Sequence, residues 1–377
     1  MTPVTLTVPT SLGNEAVIPR AAHKGPLRRE PLSGRVQFTY STRFVSAKVQ
    51  ACPASYELLA GEDVAPAPGD VVIARISGIA NHKRVETETS RKAIIYEGAL
   101  VALAYGHRYA ADQFLAHVPG NLGRCHLVAA GGVAGTVTQV HALIDAPTGI
   151  EPLGLLCDAD GVVNLLGAAP YQNVPVAEAP VSRPEVIAML GTSMNSGKST
   201  VMSCLVNGLT NAGYRVGAGK VTGTGAGNDR MHYFDAGANE VIDFTDFGYA
   251  TTFRLDYDAV RALTVNMVDV LSRGNDIVLI EIADGICQEE TAALLRDDVF
   301  HHTVDQVGFA AVDALGARAG VDFLTAAGLK VGLVSGVLTS SPLAMAEAAA
   351  LVAESGVPVI GTFDLTAAEV AKGLTTR

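Results

Sequence analysis

Lysine and serine side by side behind glycines are residue types that hold a chain of phosphates. They occur here in Gly191-Thr-Ser-Met-Asn-Ser-Gly-Lys-Ser-Thr200. An apolar run, Val186-Ile-Ala-Met-Leu190, precedes the stretch, and Val201, Leu205 and Leu209 follow at helical spacing. A strand turning through glycines into a helix points its backbone N–H groups at one spot, at the positive end of the helix dipole. Gly191, Thr192, Asn195, Ser196, Gly197, Lys198, Ser199 and Thr200 are therefore the candidate phosphate-binding residues. Lys198 supplies a point charge for the terminal phosphates, and Ser199 a hydroxyl for Mg²⁺. In the G-x-x-x-x-G-K-[ST] spacing the first glycine would fall at Thr192, so Gly191 lies one residue early.

Further groups of the right type follow along the chain. Lys220 ends an apolar stretch and is followed by Thr222-Gly-Thr-Gly-Ala-Gly227, where it can reach an anionic substrate or a phosphate. Asp229, Asp243 and Asp246 are carboxylates that could reach Mg²⁺, which prefers a few oxygens plus water; Asp246 is the one favoured. In Asp276-Ile-Val-Leu-Ile-Glu-Ile-Ala-Asp-Gly285, four apolar residues run into Glu281, the pattern by which a buried strand delivers a carboxylate beside a phosphate loop. Lys198, Lys220 and Glu281 are the candidate catalytic residues, and Ser199, Glu281 and Asp246 the candidate metal ligands. Nearer the N-terminus, Tyr105-Gly-His-Arg-Tyr-Ala-Ala-Asp-Gln113 mixes donors and acceptors after an apolar strand. His107, Arg108 and Tyr109 are the candidates there for a second substrate, with an Arg108–Asp112 pair as the structural alternative.

The shifted loop, G-T-x-x-x-x-G-K-[ST], resembles that of dethiobiotin synthetase and its relatives in the SIMIBI class of P-loop NTPases, over about the last half of the chain. The resemblance implies ATP and Mg²⁺. It also implies that Lys220 contacts substrate and phosphate and that Glu281 belongs to a glutamate-then-glycine segment. Members of the class that use GTP carry N-K-x-D on a late strand; no such tetrapeptide occurs, and the comparable segment is Val334 to Ser341. The expected function is an ATP-dependent ligase or kinase acting on a small, carboxylate-bearing molecule. The alternative is a nucleotide-dependent switch or chaperone that services a cofactor enzyme. The resemblance allows a homodimer. Dethiobiotin synthetase itself lacks a β-rich N-terminal domain like the one read below.

The elements that must position these groups divide the chain in four. Residues 1–34 read as a poorly ordered arm, with a basic stretch from Arg20 to Arg29. Residues 35–166 read as a β-rich, barrel-like domain: Val71–Ile76, Leu100–Tyr105 and Leu153–Cys157 are short apolar runs between Gly, Asp and Pro turns. A second glycine turn there, Ala129-Ala-Gly-Gly-Val133, is read either as a hairpin bend or as a point of close approach to the phosphate loop. Residues 167–184, with Pro170, Pro175, Pro180 and Pro184, read as a stiff linker without packing of its own. From 185 to 377 strands and helices alternate, which means an α/β fold: a parallel-sheet P-loop NTPase domain with ligands at the carboxyl ends of its strands.

Composition narrows the class. The charged fraction of 17% and hydrophobic fraction of 49% suit strands buried on both faces. A net charge of −11 argues against nucleic acid as partner. The five cysteines have no C-x-x-C pair, so no zinc site is expected. No apolar run is long enough for a membrane span and no signal-peptide core opens the chain, so a cytoplasmic location is expected.

Overall fold

The computed structural model describes residues 28–61, 63–180 and 182–376. Arg28–Pro31, within the stretch expected to be a loose arm, is an edge strand paired with Glu57–Ala60. Residues 1–27 of that arm, including Arg20 and Lys24, lie outside the described residues.

In the N-terminal half, five strands close on themselves. Thr148–Asp158 pairs with Val71–Gly78, that with Leu100–Tyr105, that with Val133–Val140, that with Cys125–Ala129, and the last returns to Thr148–Asp158. Val72, Ala74, Ile76, Val101, Leu103, Leu127, Ile150 and Leu155 come from the ring strands and form one buried cluster, the barrel interior. The intervening residues Val71, Ile73, Ala102 and Ala104 join a second cluster outside it with Val45 and Val49 of the helix Arg43–Ala51. The period-two alternation of the strands thus feeds two cores.

The C-terminal half is a six-stranded parallel sheet. Its strands are β1 (Glu185–Gly191), β2 (Val216–Lys220), β3 (Glu240–Asp243), β4 (Ile277–Glu281), β5 (Gln306–Ala310) and β6 (Val331–Ser335), in the order β3-β2-β4-β1-β5-β6. Helix α1 (Lys198–Asn211) follows β1, α2 (Gly227–Asp235) follows β2, and α3 (Tyr257–Ser272) precedes β4. Alternate residues of β1 serve opposite faces. Val186, Ala188 and Leu190 pack with Leu263, Met267 and Leu271 of α3, while Ile187 and Met189 pack with Val201, Leu205 and Leu209 of α1. Helices on both faces explain the continuous apolar strands. Beyond β6, Val359 makes an isolated parallel bridge to Val334. Among the described residues no helix is long and apolar enough to cross a membrane.

The segment between the halves is extended but not unpacked. Asn173 Nδ2 donates to Ala259 O (2.9 Å) and Tyr249 Oη (3.0 Å), Asn266 Nδ2 donates to Val174 O (2.7 Å), and the Tyr171 ring lies 5.4 Å from that of Phe247. The prolines keep it extended, and side-chain amides strap it to α3, which local composition does not reveal.

The halves are also joined directly. Tyr40 Oη donates to Asp243 Oδ2 (2.5 Å), Arg43 Nη1 donates to Thr245 Oγ1 (2.7 Å), and Gly227 N donates to Glu86 Oε2 (2.5 Å). Gly131 lies against the Thr222–Gly227 loop: a Cβ there would come within 1.9 Å of Gly225 O. The Ala129–Val133 turn is a place of close approach, made against the loop after β2.

Candidate functional site

β1 ends at Gly191, and α1 opens at Lys198 behind Gly197, whose φ of 97° lies in the left-handed region that glycine adopts without strain. Asn195 also has positive φ, at 61°. A Cβ at Gly191 would sit 2.3 Å from Ser196 Oγ, and one at Gly285 would sit 2.4 Å from Thr192 O. The loop is therefore a tight cradle, with the Ser196 hydroxyl packed against Gly191 and Gly285 packed against the Thr192 carbonyl, and the first-turn N–H groups of α1 have no intrahelical acceptors. Lys198 lies over it. Its Nζ donates to Ser193 O (2.8 Å) and to Asp284 O (2.7 Å), neutral acceptors that a phosphate would replace. Burial lowers its pKa, with the charge of Glu281 acting against that shift. The hydroxyls of Thr192 and Ser196 are buried without partners among the described residues. Glycine cradle, unpaired hydroxyls and an ammonium parked on carbonyls fit a bound phosphate chain.

The parallel register puts Lys220 of β2 opposite Glu281 of β4, and Met189 of β1 opposite Glu281 on the other side. Glu281, 1% exposed, lies 3.2 Å from Lys220 Nζ and accepts a hydrogen bond from the Tyr233 hydroxyl. Lys220 also pairs with Asp229. Burial works against the Lys220 charge, but Asp229 and Glu281 together hold it well above the ordinary lysine value. Burial likewise opposes the Asp229 charge, and Lys220 overrides it, so that carboxyl titrates below its usual range. Against the effect of burial, Ser199 favours the ionised forms of both Asp229 and Tyr233, which places it beside them. Lys198, Ser199, Lys220, Asp229 and Glu281 thus form one cluster at the carboxyl edge of the sheet.

Asp246 does not join it. Its Oδ2 accepts from Asp243 N (2.8 Å) and Arg230 Nη1 (2.6 Å) and lies 3.2 Å from Arg43. Asp246 is spent on tying the N-terminal half to β3, and Asp229 is the aspartate that pairs with Lys220. Tyr233 and Asp229 share helix α2, which local reading missed because the segment opens on glycine and is largely polar.

Asp284 is the remaining acid. Its φ of 62° turns its carbonyl toward Lys198, and burial raises its carboxyl from 3.8 to about 6. A carboxyl raised on folding favours the fold only below its unfolded value, and that contribution is lost as pH rises through the folded one. Asp284→Asn is therefore expected to melt above the wild type at about pH 8, with the difference closing near pH 4. Thermal melts across that range check it, and an Asn variant that melts lower at the alkaline end contradicts the assignment.

The Tyr105–Gln113 loop of the barrel faces this site. Asn195 Nδ2 of the phosphate loop donates to Asp112 Oδ2 (2.7 Å), Thr251 Oγ1 donates to His107 O (2.5 Å), and the rings of Tyr109 and Phe253 are 5.6 Å apart. The Arg108–Asp112 hydrogen bond of the structural alternative is not made. Arg108 Nη2 donates to Gln113 Oε1 (3.0 Å), and Asp112 turns to the phosphate loop instead. Burial, then Arg254, pushes the His107 ring down to about 4, so it is neutral at pH 7.

A parallel sheet carrying a glycine cradle, its lysine and its serine defines a P-loop nucleotide-binding fold. No protein-family model matches the chain, and no curated protein matches it. Solved structures do. The signal recognition particle receptor FtsY of Elizabethkingia anophelis, in complex with GDP, is 17% identical over 56% of this chain and 69% of that one, with a TM-score of 0.37. The signal recognition particle 54 kDa protein of Aeropyrum pernix K1, also in complex with GDP, is 17% identical over 56% of this chain and 52% of that one, with a TM-score of 0.35. FtsY of Thermotoga maritima is 17% identical over 55% and 74%, with a TM-score of 0.35. The chain spans about half the length of the Aeropyrum protein it matches. The likeness is one of fold alone.

Proposed function

We propose that the chain is an ATP- and Mg²⁺-dependent enzyme of the ligase or kinase type, acting on a small molecule held between its two halves. The observation that carries this is Lys198, parked on two carbonyls over a glycine cradle and adjoined by Lys220, Asp229 and Glu281. Lys198 would leave those carbonyls for the terminal phosphates, and Lys220 would hold a second charge at the strand edge. Ser199, Asp229 and Glu281 are the residues that would hold Mg²⁺, and the ion when bound neutralises charge on the transferring phosphoryl group. The protein's part is positioning and electrostatic stabilisation, which phosphoryl transfer chiefly requires. The second reactant would lie toward Tyr109, Thr222, Thr252 and Asp284, which meet where the barrel loop reaches the C-terminal half.

Support for adenine is the segment Ser335 to Ser341, which carries hydroxyl and apolar side chains and no carboxylate to read guanine. Support for the ligase-or-kinase class is the resemblance of the loop to the dethiobiotin synthetase group. Calorimetric titration with ATP and GTP, each with and without Mg²⁺, tests the reading. Metal-dependent ATP binding with weaker GTP binding is expected. Preference for GTP favours a nucleotide-dependent switch that serves a protein partner, and no binding of either nucleotide overturns the proposal.

A further inference from the structure

Buried polar atoms without hydrogen-bond partners among the described residues occur both on the Tyr105–Gln113 loop and on the phosphate loop that it touches through Asp112. On the barrel side they are Nε and Nη1 of Arg108 and Oδ1 of Asp112; on the other side they are the hydroxyls of Thr192 and Ser196. Arg108 is only 6% exposed. Its one hydrogen bond among the described residues goes to a neutral amide, that of Gln113, and its Cζ lies 5.9 Å from the centre of the Phe114 ring. Burial lowers Arg108 to about 10, with the fields of Asp112 and Asp284 opposing. His82 provides no counter-charge: burial, then Arg108 itself, pushes its ring down to about 4, and its Nδ1 also lacks a partner.

A desolvated cation with donors left open is destabilising, and each unmade charged hydrogen bond adds to that. Asp112, on the same loop, would relieve both if it turned to Arg108. Instead its other oxygen holds Asn195 of the phosphate loop, at 2.7 Å. The guanidinium is thus kept charged, desolvated and open at two donors, on the loop whose Asp112 holds the phosphate loop.

We propose that Arg108 receives an anionic group of the second reactant, a carboxylate or a phosphate, and so sets that reactant against the phosphate loop. The placement rests on the nucleotide reading above; the anion site does not, and the two are tested apart.

The test uses the full chain with Lys198→Ala, which removes the phosphate loop's own lysine, and adds Arg108→Gln to that background. Inorganic phosphate and succinate are the probes, followed by calorimetry and thermal melting. In the Lys198→Ala protein one of the two anions should bind and raise the melting temperature, and which one does assigns phosphate or carboxylate. Adding Arg108→Gln should weaken that anion at least about tenfold, the loss of a charge-assisted hydrogen bond. Arg108→Lys should recover part of it. Without anion, Arg108→Gln alone should melt no lower than wild type, because an unpaired buried charge has been removed, and it should bind ATP as wild type does.

Absence of any anion effect in the Lys198→Ala protein overturns the proposal. So does a lower melting point for Arg108→Gln with anion binding unchanged, which would make Arg108 a buttress of the barrel. Loss of triphosphate but not diphosphate affinity in Arg108→Gln would place the guanidinium on the nucleotide itself and also overturn it. Arg108-dependent anion binding in a chain that binds no nucleotide would leave this site standing and remove the reading of the phosphate loop.

Discussion

Lys198→Ala is expected to abolish nucleotide hydrolysis, to weaken nucleotide binding about 100-fold, and to leave the melting temperature within a few degrees of wild type. The affinity estimate takes a charged hydrogen bond to phosphate at about 3 kcal/mol and ten-fold in affinity per 1.4 kcal/mol. The stability estimate comes from the surroundings of the ammonium. It is buried, its pKa is lowered by that burial, and its partners are two backbone carbonyls rather than a carboxylate. Truncation removes a desolvated charge along with two modest hydrogen bonds, and these effects offset one another. Phosphate release, calorimetry and a thermal melt read the three outcomes separately. Unchanged turnover in a folded variant would mean that the cradle serves no phosphate.

Much of the phosphate side was legible because it is local. The loop, the strand before it and the helix after it are contiguous, and glycine, lysine and serine each have a distinct physical task there. Lys220 and Glu281 were legible for a related reason: each ends a short apolar run, and a parallel sheet brings the carboxyl ends of its strands to one edge. The choice among three aspartates was not legible. Asp229, Asp243 and Asp246 lie within eighteen residues of one another. What separates them is the arrival of Tyr40 and Arg43 from about two hundred positions away, which claims Asp243 and Asp246 for the junction. The closure of the barrel has the same character. Cys125–Ala129 completes it by pairing on both sides, and a five-residue strand carries no local sign of that double pairing. The glycine turn at Gly131 suggested close approach to the phosphate loop; the contact is instead with Gly225, in the loop after β2.

Glu281 should prove the least replaceable side chain of the site, and in two distinguishable ways. Its carboxylate is buried at the end of β4, with one oxygen on Lys220 and the other on Tyr233. Glu281→Ala removes one partner of a buried pair and strands the other, which typically costs about 3–5 kcal/mol. Here Asp229 still faces Lys220, so the lower end of that range is expected, together with an unpaired Tyr233 hydroxyl. Glu281→Gln keeps the volume and an oxygen for Tyr233 but removes the charge, so its stability loss should be smaller, about 1–2 kcal/mol. The functional loss should not shrink in proportion. If Glu281 helps to hold Mg²⁺, the glutamine variant should bind nucleotide in the absence of metal as wild type does, lose the gain in affinity that Mg²⁺ brings, and turn over at least about 100-fold more slowly. Urea melts and titrations with and without Mg²⁺ separate the two effects. A glutamine variant with full metal-dependent turnover would confine Glu281 to anchoring Lys220 and Tyr233 and would shift the metal-holding role to Asp229 and Ser199.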